Sequence, residues 1–268
     1  MSTNNIKELS IQVNLNGLSF CILNRTSNEI EYLNRLDFDT KLTPFDILKR
    51  LKTELSSNTV FADDFKEVLV VHQNELSTLV PSALYNENHK ADYLKFNSKI
   101  LKTDFLATDD LVVNNSVNVY VPYVNINNYI FDTFGSFTYK HSSTILIDAI
   151  LQSANRTEDV QVFINVNSSS IEVLVVHGKE IQLFNVFEYH TKEDFIYYIL
   201  FVFEQLQLDT EATQVTLSGN IEEGDALFTI LYTYVRHVRL AVPQNSFTFN
   251  ESIDAPARLQ HFLILNSF

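Results

Sequence analysis

The sequence is poor in cysteine, glycine, proline and tryptophan. Its 268 residues include one cysteine, Cys21, five glycines, five prolines and no tryptophan. A single cysteine within a predicted strand cannot form an internal disulfide, and a buried, inert thiol is typical of proteins from a reducing cytosol. The small number of glycines and prolines argues against a disordered chain and against glycine-rich loops that approach a ligand closely.

Basic residues are also scarce. Lysine and arginine number 19 against 33 aspartates and glutamates, and the formal net charge is −14. Nucleic-acid-binding proteins usually carry a basic patch that neutralises phosphates. The densest basic run, residues 49–52, is predicted to be the polar face of a helix. We therefore expect no nucleic-acid partner and no binding to an anionic membrane surface.

The sequence has no long apolar run. The longest one, residues 195–203, has about half the length needed to cross a bilayer. Residues 1–8 are polar and lack the apolar core of a signal peptide. The prediction is a cytoplasmic protein without membrane insertion.

Apolar and aromatic residues are plentiful. Hydrophobic residues make up 46% of the chain, with 21 phenylalanines and 12 tyrosines, enough for the core of one large domain or two medium ones. Residues 162–176 follow a strand, turn, strand pattern, and a third strand is predicted at 181–187. The same order of three strands recurs at residues 11–36. Alternating apolar residues predict an antiparallel meander at both places.

The repeat extends beyond the meanders. Thr43 and Thr191 each precede, by three residues, an aspartate that opens an apolar helix, a pattern typical of a helix N-cap. Short apolar strands follow at 68–71 and 215–217. The matched segments keep their order at a spacing of about 150 residues, which indicates an internal duplication of a β-β-β-α-β-α unit. The predicted domains are residues 1–155 and 156–268.

Residues 73–135 are less regular and are predicted to form an inserted subdomain of the first domain. Short strands are expected at 78–81, 94–96, 110–113 and 117–121, with helices over about 81–94 and 125–134. The carboxylate pairs 63–64 and 109–110 lie in polar turn sequence, and solvated surface is the favoured interpretation over acid–base chemistry. In the tail, residues 261–265 are predicted to form an apolar strand that docks internally.

Two such units resemble the actin-like ATPase fold, which is ribonuclease H-like and shared by actin, sugar kinases and Hsp70 chaperones. The predicted fold class is therefore α/β, a duplicated actin-like fold with an insertion in its first half. The chain is most similar to a bacterial family of uncharacterised proteins with this fold. That family is distantly similar to the actin homologues of pilus assembly and cell division.

The resemblance implies a nucleotide site at the first turn of each half. Working members carry Asp-x-Gly there, whose carboxylate orders Mg²⁺ and whose glycine lets backbone N–H groups approach phosphate. Here residues 14–17 read Asn-Leu-Asn-Gly and residues 165–168 read Asn-Val-Asn-Ser. Loss of both carboxylates removes the centre of metal-assisted phosphoryl transfer. The degenerate cleft is predicted to comprise Asn14, Asn16, Gly17, Asn165, Asn167, Ser168, Gly219 and Asn220.

Three interpretations of these asparagines remain open: they cap turns, they bind a nucleotide or another anion without hydrolysis, or they take part in hydrolysis. No catalytic residue or metal ligand is assigned, because the seven histidines lack metal-ligand spacing. The favoured hypothesis is a non-catalytic binding or scaffold protein with an unknown protein partner and no cofactor. The alternatives are an ATP-binding or ATP-hydrolysing protein that uses Mg²⁺ and a filament-forming protein.

Overall fold

The computed structural model describes residues 5–96, 98–153, 159–242 and 246–268. Its strands are β1 (Lys7–Asn14), β2 (Gly17–Asn24), β3 (Glu29–Asp37), β4 (Glu67–His72), β5 (Ser77–Pro81), β6 (Ala107–Leu111), β7 (Ser116–Tyr120), β8 (Thr138–His141), β9 (Val160–Val166), β10 (Ser170–His177), β11 (Glu180–Glu188), β12 (Gln214–Gly219), β13 (His237–Leu240) and β14 (Thr248–Phe249). Its α-helices are α1 (Pro44–Ser57), α2 (Lys90–Lys95), α3 (Val124–Phe134), α4 (Ser142–Ser153), α5 (Lys192–Gln205), α6 (Ala226–Tyr234), α7 (Ala255–Gln260) and α8 (Phe262–Leu265).

The chain divides into two compact units. Unit 1 comprises Met1–Leu146, Asn245–Asp254 and Leu263–Phe268, and unit 2 comprises Ile147–Gln244 and Ala255–Phe262. The domain boundary predicted at residues 155 and 156 lies outside the described residues and stays a prediction.

Unit 1 is built on a six-stranded sheet of order β14-β3-β2-β1-β4-β8. β1, β2 and β3 form the expected antiparallel meander, whereas β4 pairs in parallel with β1 and β8 with β4. Helix α1 begins after Thr43, whose hydroxyl accepts the backbone N–H of Asp46, so the predicted cap is confirmed. Its apolar stripe, Ile47 and Leu51, packs on buried sheet residues such as Ile11 and Phe20.

The insertion in unit 1 forms a three-stranded antiparallel sheet of order β5-β7-β6. Its small core contains Val80, Leu94, Val117 and Val119. The strand expected at 94–96 is wrong, because Leu94 reaches this core from helix α2. The helix expected over about 81–94 is also wrong in its length, since two short 3₁₀ turns precede α2.

Unit 2 repeats the order of unit 1. Its sheet is β11-β10-β9-β12-β13, and the corresponding strands of unit 1 are β3-β2-β1-β4-β8. Helix α5 follows the meander and α6 follows β12, so the β-β-β-α-β-α order occurs in both units. The core of unit 2 packs α5 through Phe195, Ile199 and Val202 against the sheet. The predicted fold class is confirmed.

The tail of the chain returns to unit 1. β14 pairs in parallel with β3, and Ile264 and Leu265 pack on Cys21, Leu23 and Ile30. The expected strand at 261–265 is wrong, because this segment contains helix α8. A short continuous apolar run has no periodicity that separates a buried strand from a buried helix.

Candidate functional site

The first turn joins β1 to β2 in unit 1. Asn14 stands opposite Gly17 in the strand register, and the turn between them has two residues. The Asn14 side-chain oxygen accepts the backbone N–H of Asn16 at 2.7 Å. Its Nδ2 donates to Oε1 of Gln73, just beyond the end of the neighbouring strand β4, at 2.9 Å. Both ends of the Asn14 amide are therefore engaged within the protein.

Gly17 is required by close packing of the backbone. A Cβ atom at this position would lie 2.8 Å from the carbonyl oxygen of Leu36 on β3, which is closer than real Cβ contacts. The glycine that the sequence retains at this turn thus has a structural reason within the meander.

The second turn joins β9 to β10 in unit 2 and is two residues longer, since its last paired residues, Val166 and Ile171, enclose four residues. Asn165 stands opposite Glu172 in the register, with six residues between them. Asn165 Nδ2 donates to Glu172 Oε2 at 2.7 Å, and Asn165 Oδ1 accepts the hydroxyl of Ser218 at 3.0 Å. The backbone N–H of Asn167 donates to the carbonyl of Ser170 at 2.8 Å and closes the turn.

Glu172 is a residue of this turn that the sequence analysis missed. Its side chain is 2% exposed, and its Oε2 also accepts from Nδ2 of Asn167 at 3.4 Å. A signal was present in the sequence, since Glu172 is a lone carboxylate within the apolar run of β10. Buried carboxylates are rare without hydrogen-bonding partners, which predicts a polar neighbour.

Gly219 and Asn220 lie against the same turn. Gly219 has a φ of +86°, which favours glycine. A Cβ atom there would collide with the carbonyl oxygen of Val166 and with Oδ1 of Asn165. The backbone N–H of Asn220 donates to the same Val166 carbonyl at 2.7 Å. The ends of β9 and β12 are therefore in direct backbone contact.

The predicted site residues fall into two groups, one in each unit. Asn14, Asn16 and Gly17 share the hairpin of unit 1. The strand ends of unit 2 carry the remaining five, Asn165, Asn167, Ser168, Gly219 and Asn220. Their predicted role in a nucleotide cleft stays a prediction. Within the described part of the chain, no three His, Cys, Asp or Glu side chains are grouped as a metal site would require.

A second polar cluster lies where the insertion of unit 1 meets β8 and α4. Asp109 Oδ1 accepts the hydroxyl of Tyr120 at 3.0 Å. Asp109 Oδ2 accepts the backbone N–H of His141 at 2.8 Å and the hydroxyl of Thr144 at 2.7 Å. The expectation that this carboxylate is solvated surface is wrong, because pairing of β6 with β7 turns it inwards. Burial raises the pKa of Asp109, although these three donors oppose that effect.

His141 and Asn118 complete this cluster. The backbone N–H of Ser143 donates to His141 Nδ1 at 3.2 Å, so the ring proton of the neutral imidazole is on Nε2. Burial lowers the pKa of His141 to about 3. Asn118 Nδ2 donates to the hydroxyls of Ser143 and Thr144, each at 2.9 Å. Asn118 Oδ1 has no hydrogen-bond partner among the described residues.

The family is identified by comparison with known sequences. Residues 1–238 match the model of a family described as protein of unknown function, DUF3822. The chain belongs to this family. Comparison with curated proteins gave no match.

Solved structures show the fold. A protein of unknown function with an actin-like ATPase fold from Bacteroides thetaiotaomicron is 21% identical, with a TM-score of 0.79 over 91% of this chain and 94% of that chain. The PilM–PilN complex of type IV pilus biogenesis is 10% identical, with a TM-score of 0.63 over 98% and 97%. The ethanolamine utilisation protein EutJ from Carboxydothermus hydrogenoformans is 6% identical, with a TM-score of 0.53 over 97% and 88%. The predicted resemblance to an uncharacterised actin-like family is confirmed.

The helices were also assessed as membrane spans. Within the described residues, no helix combines the length and apolar character that crossing a bilayer requires.

Proposed function

We propose that this protein is a non-catalytic binding or scaffold protein that uses the actin-like fold to engage another protein. The observation that carries the proposal is the internal use of both first-turn asparagines. Asn14 bonds to Asn16 and Gln73, and Asn165 bonds to Glu172 and Ser218. A neutral amide whose two ends serve the protein is a poor replacement for a carboxylate that orders Mg²⁺ and its waters.

Since the turns are poorly suited to Mg²⁺ and nucleotide, we infer that the fold serves to bind a protein partner. One solved neighbour with this fold is found in a complex of two proteins, PilM and PilN. This supports a protein partner as the class of ligand for the present chain, without identifying it. The predicted cytoplasmic location, the internal duplication and the absence of nucleic-acid binding remain proposals of the same kind.

A nucleotide-binding role is the second candidate, and one observation favours it. Glu172 supplies a carboxylate beside Asn165 and Asn167, at the turn where the resemblance implies a metal-ordering acid. The carboxylate accepts from both amides, so a bound cation would have to displace them. This cost makes the non-catalytic hypothesis the better supported one.

The test is a titration of the full chain with Mg·ATP by calorimetry, together with phosphate release. We expect no binding in the micromolar range and no release above the buffer blank. Phosphate release that disappears in Asn14→Ala or Asn165→Ala would overturn the proposal and favour the ATP-hydrolysing alternative. Micromolar binding without release would support a nucleotide-binding protein instead.

A further inference from the structure

The insertion of unit 1 presents an unusual segment at the end of α2 and beyond it, residues 95–96 and 98–105, which we call the basic apolar loop. It contains Lys95, Lys99 and Lys102 and a single acid, Asp104, in a chain whose net charge is −14. Three of its apolar side chains are exposed: Phe96 by 87%, Leu101 by 65% and Phe105 by 55%. Local charge and exposed apolar surface therefore coincide in a short segment. Contiguous exposure of this kind often marks an interaction site.

The loop is held in place by the rest of the insertion. Ile100 and Leu106 pack on the small core around Val119. The Asp104 carboxylate accepts the backbone N–H of Leu101 at 2.7 Å, and the Asp104 N–H donates to the Leu101 carbonyl at 3.2 Å. The exposure of Leu101 and Phe105 is thus a property of a closed turn whose neighbouring apolar residues, Ile100 and Leu106, are already partly buried.

The three lysines of the loop differ in their ion pairing. Lys95 pairs with Asp92 at 3.1 Å, but in the part of the chain that the structure describes neither Lys99 nor Lys102 forms an ion pair. The one acid of the loop, Asp104, is used by the Leu101 backbone. Two exposed cations beside three exposed apolar side chains are complementary to an acidic, partly apolar surface.

We propose that the basic apolar loop is the docking site for an acidic segment of a partner protein, with apolar residues that cover Phe96, Leu101 and Phe105. This rests on the proposed partner-binding function and deepens it by naming the surface and the chemistry of the partner. The extent of the occupant decides between candidates. A short peptide with carboxylates gains from Lys99 and Lys102, whereas an extended anionic membrane would also face other parts of this acidic chain and be repelled by them.

The experiment is a selection of random displayed dodecapeptides on the immobilised full chain. We expect the selected peptides to be enriched in Asp and Glu and in large apolar residues relative to the unselected library. A soluble, labelled peptide from the selection is then titrated by fluorescence anisotropy. Its affinity should fall at least tenfold in K99E/K102E and at least tenfold in L101S/F105S. It should also weaken as the salt concentration rises.

The matched control is K66E/K179E, which makes the same change of net charge at two exposed lysines outside the loop. Its peptide affinity should stay within twofold of wild type. Circular dichroism should show all variants folded, since the changed side chains are exposed. Selected peptides without acidic enrichment, or equal losses in the loop and control variants, would overturn the proposal.

The last experiment measures binding of the full chain and its variants to vesicles of phosphatidylserine and phosphatidylcholine. Vesicle binding that depends on Lys99 and Lys102, with no acidic peptide selected, would assign the loop to a membrane surface and overturn the peptide proposal. Failure of this inference is separable from failure of the proposed function. ATP hydrolysis that depends on Asn14 and Asn165 would contradict the proposed function. Failure of the loop to bind acidic peptides would contradict only the docking proposal.

Discussion

The two hairpin turns occupy the same place in two sheets of the same strand order, yet they are built differently. The turn of unit 1 has two residues, and its asparagine bonds to a neutral glutamine, Gln73. The turn of unit 2 is longer, and its asparagine bonds to a buried carboxylate, Glu172. The two asparagines therefore have different partners, one neutral and just beyond the end of β4, the other charged and across the hairpin.

An aspartate introduced in place of each asparagine should therefore act differently in the two units. In unit 1 an aspartate would face an amide that can rotate to donate. In unit 2 an aspartate would face a second carboxylate in a buried setting, where like charges repel strongly. The two turns should thus respond unequally to identical substitutions.

The largest difference in stability is expected between alanine substitutions at the two glycines, Gly219 and Gly17. Gly219→Ala should lower the free energy of unfolding by about 3–4 kcal/mol, because it combines an unfavourable positive φ with a collision against Val166. Gly17→Ala meets one carbonyl oxygen, that of Leu36, at an ordinary φ and should cost about 1–2 kcal/mol. Urea unfolding of both variants measures the difference. Equal losses would show that the β9–β12 contact is no tighter than the β2–β3 contact.

The next largest difference in stability is expected between aspartate substitutions at Asn165 and Asn14. Asn165→Asp removes the donor to Glu172 and brings two carboxylates together, and should cost about 2–3 kcal/mol at neutral pH. Asn14→Asp keeps the acceptor for the Asn16 N–H and should cost less than about 1 kcal/mol. Thermal unfolding followed by circular dichroism compares them. The double variant Asn165→Asp/Glu172→Gln should recover most of the loss, and a failure to recover would locate the cost elsewhere.

The buried acid of unit 1, Asp109, offers a contrast with Glu172. Asp109→Ala should cost about 2–3 kcal/mol because Tyr120, Thr144 and the His141 N–H lose their acceptor. Asp109→Asn should cost less, since the Tyr120 hydroxyl can turn to accept from the new amide. Urea midpoints of the two variants test this order. A loss as large in the asparagine variant would mean that the negative charge itself is needed.

The pH dependence of Asp109 follows from its raised pKa. The folded protein holds the proton more tightly than the unfolded chain, whose pKa is near the ordinary 3.8. The unfolding free energy of wild type relative to Asp109→Asn should therefore fall as the pH rises from about this value through the raised pKa, and then level off. Urea titrations of both proteins between acidic and neutral pH measure the difference. A relative stability that increases with pH would contradict the assigned shift.

The smallest effect is expected at the two helix caps. Thr191 and Asp194 form a reciprocal capping box at α5, and Thr43 caps α1. Thr191→Ala and Thr43→Ala should each cost about 1 kcal/mol, with the larger loss at Thr191 because the box is disrupted. Differential scanning calorimetry compares the two variants, with Thr191→Ser as the conservative control. A neutral Thr191→Ala would indicate that the cap adds nothing to the packing of α5.

Much of the fold could be predicted from the sequence because its signals are local. Alternating apolar residues identified the meanders, and Thr43 and Thr191 identified the starts of α1 and α5. The insertion was harder, since Leu94 lies in a short helix whose six residues are too few to establish a helical period. The strand predicted in the tail was wrong for a related reason, because the apolar residues there form a continuous run.

The candidate site could likewise be predicted only in part from the sequence. Asn14 and Asn165, at the positions where the resemblance implies aspartates, can be recognised in the sequence, as can Gly219. Their partners cannot, because Gln73, Glu172 and Ser218 reach them through strand pairing at a distance along the chain. Asp109 was misjudged for this reason too, since adjacent acids in polar sequence carry no sign of which one turns inwards.

The sequence by itself determined the order of the strands and helices in the two repeated units, the repeat of that order and the presence of asparagine rather than aspartate at positions 14 and 165. These properties depend on the residue types and on their spacing along the chain. Only the tertiary structure decided that Glu172 lies beside Asn165, that Asp109 is buried and that Phe96, Leu101 and Phe105 are exposed. Hydrogen bonding and burial depend on which strands pair, and that pairing joins residues far apart in the chain.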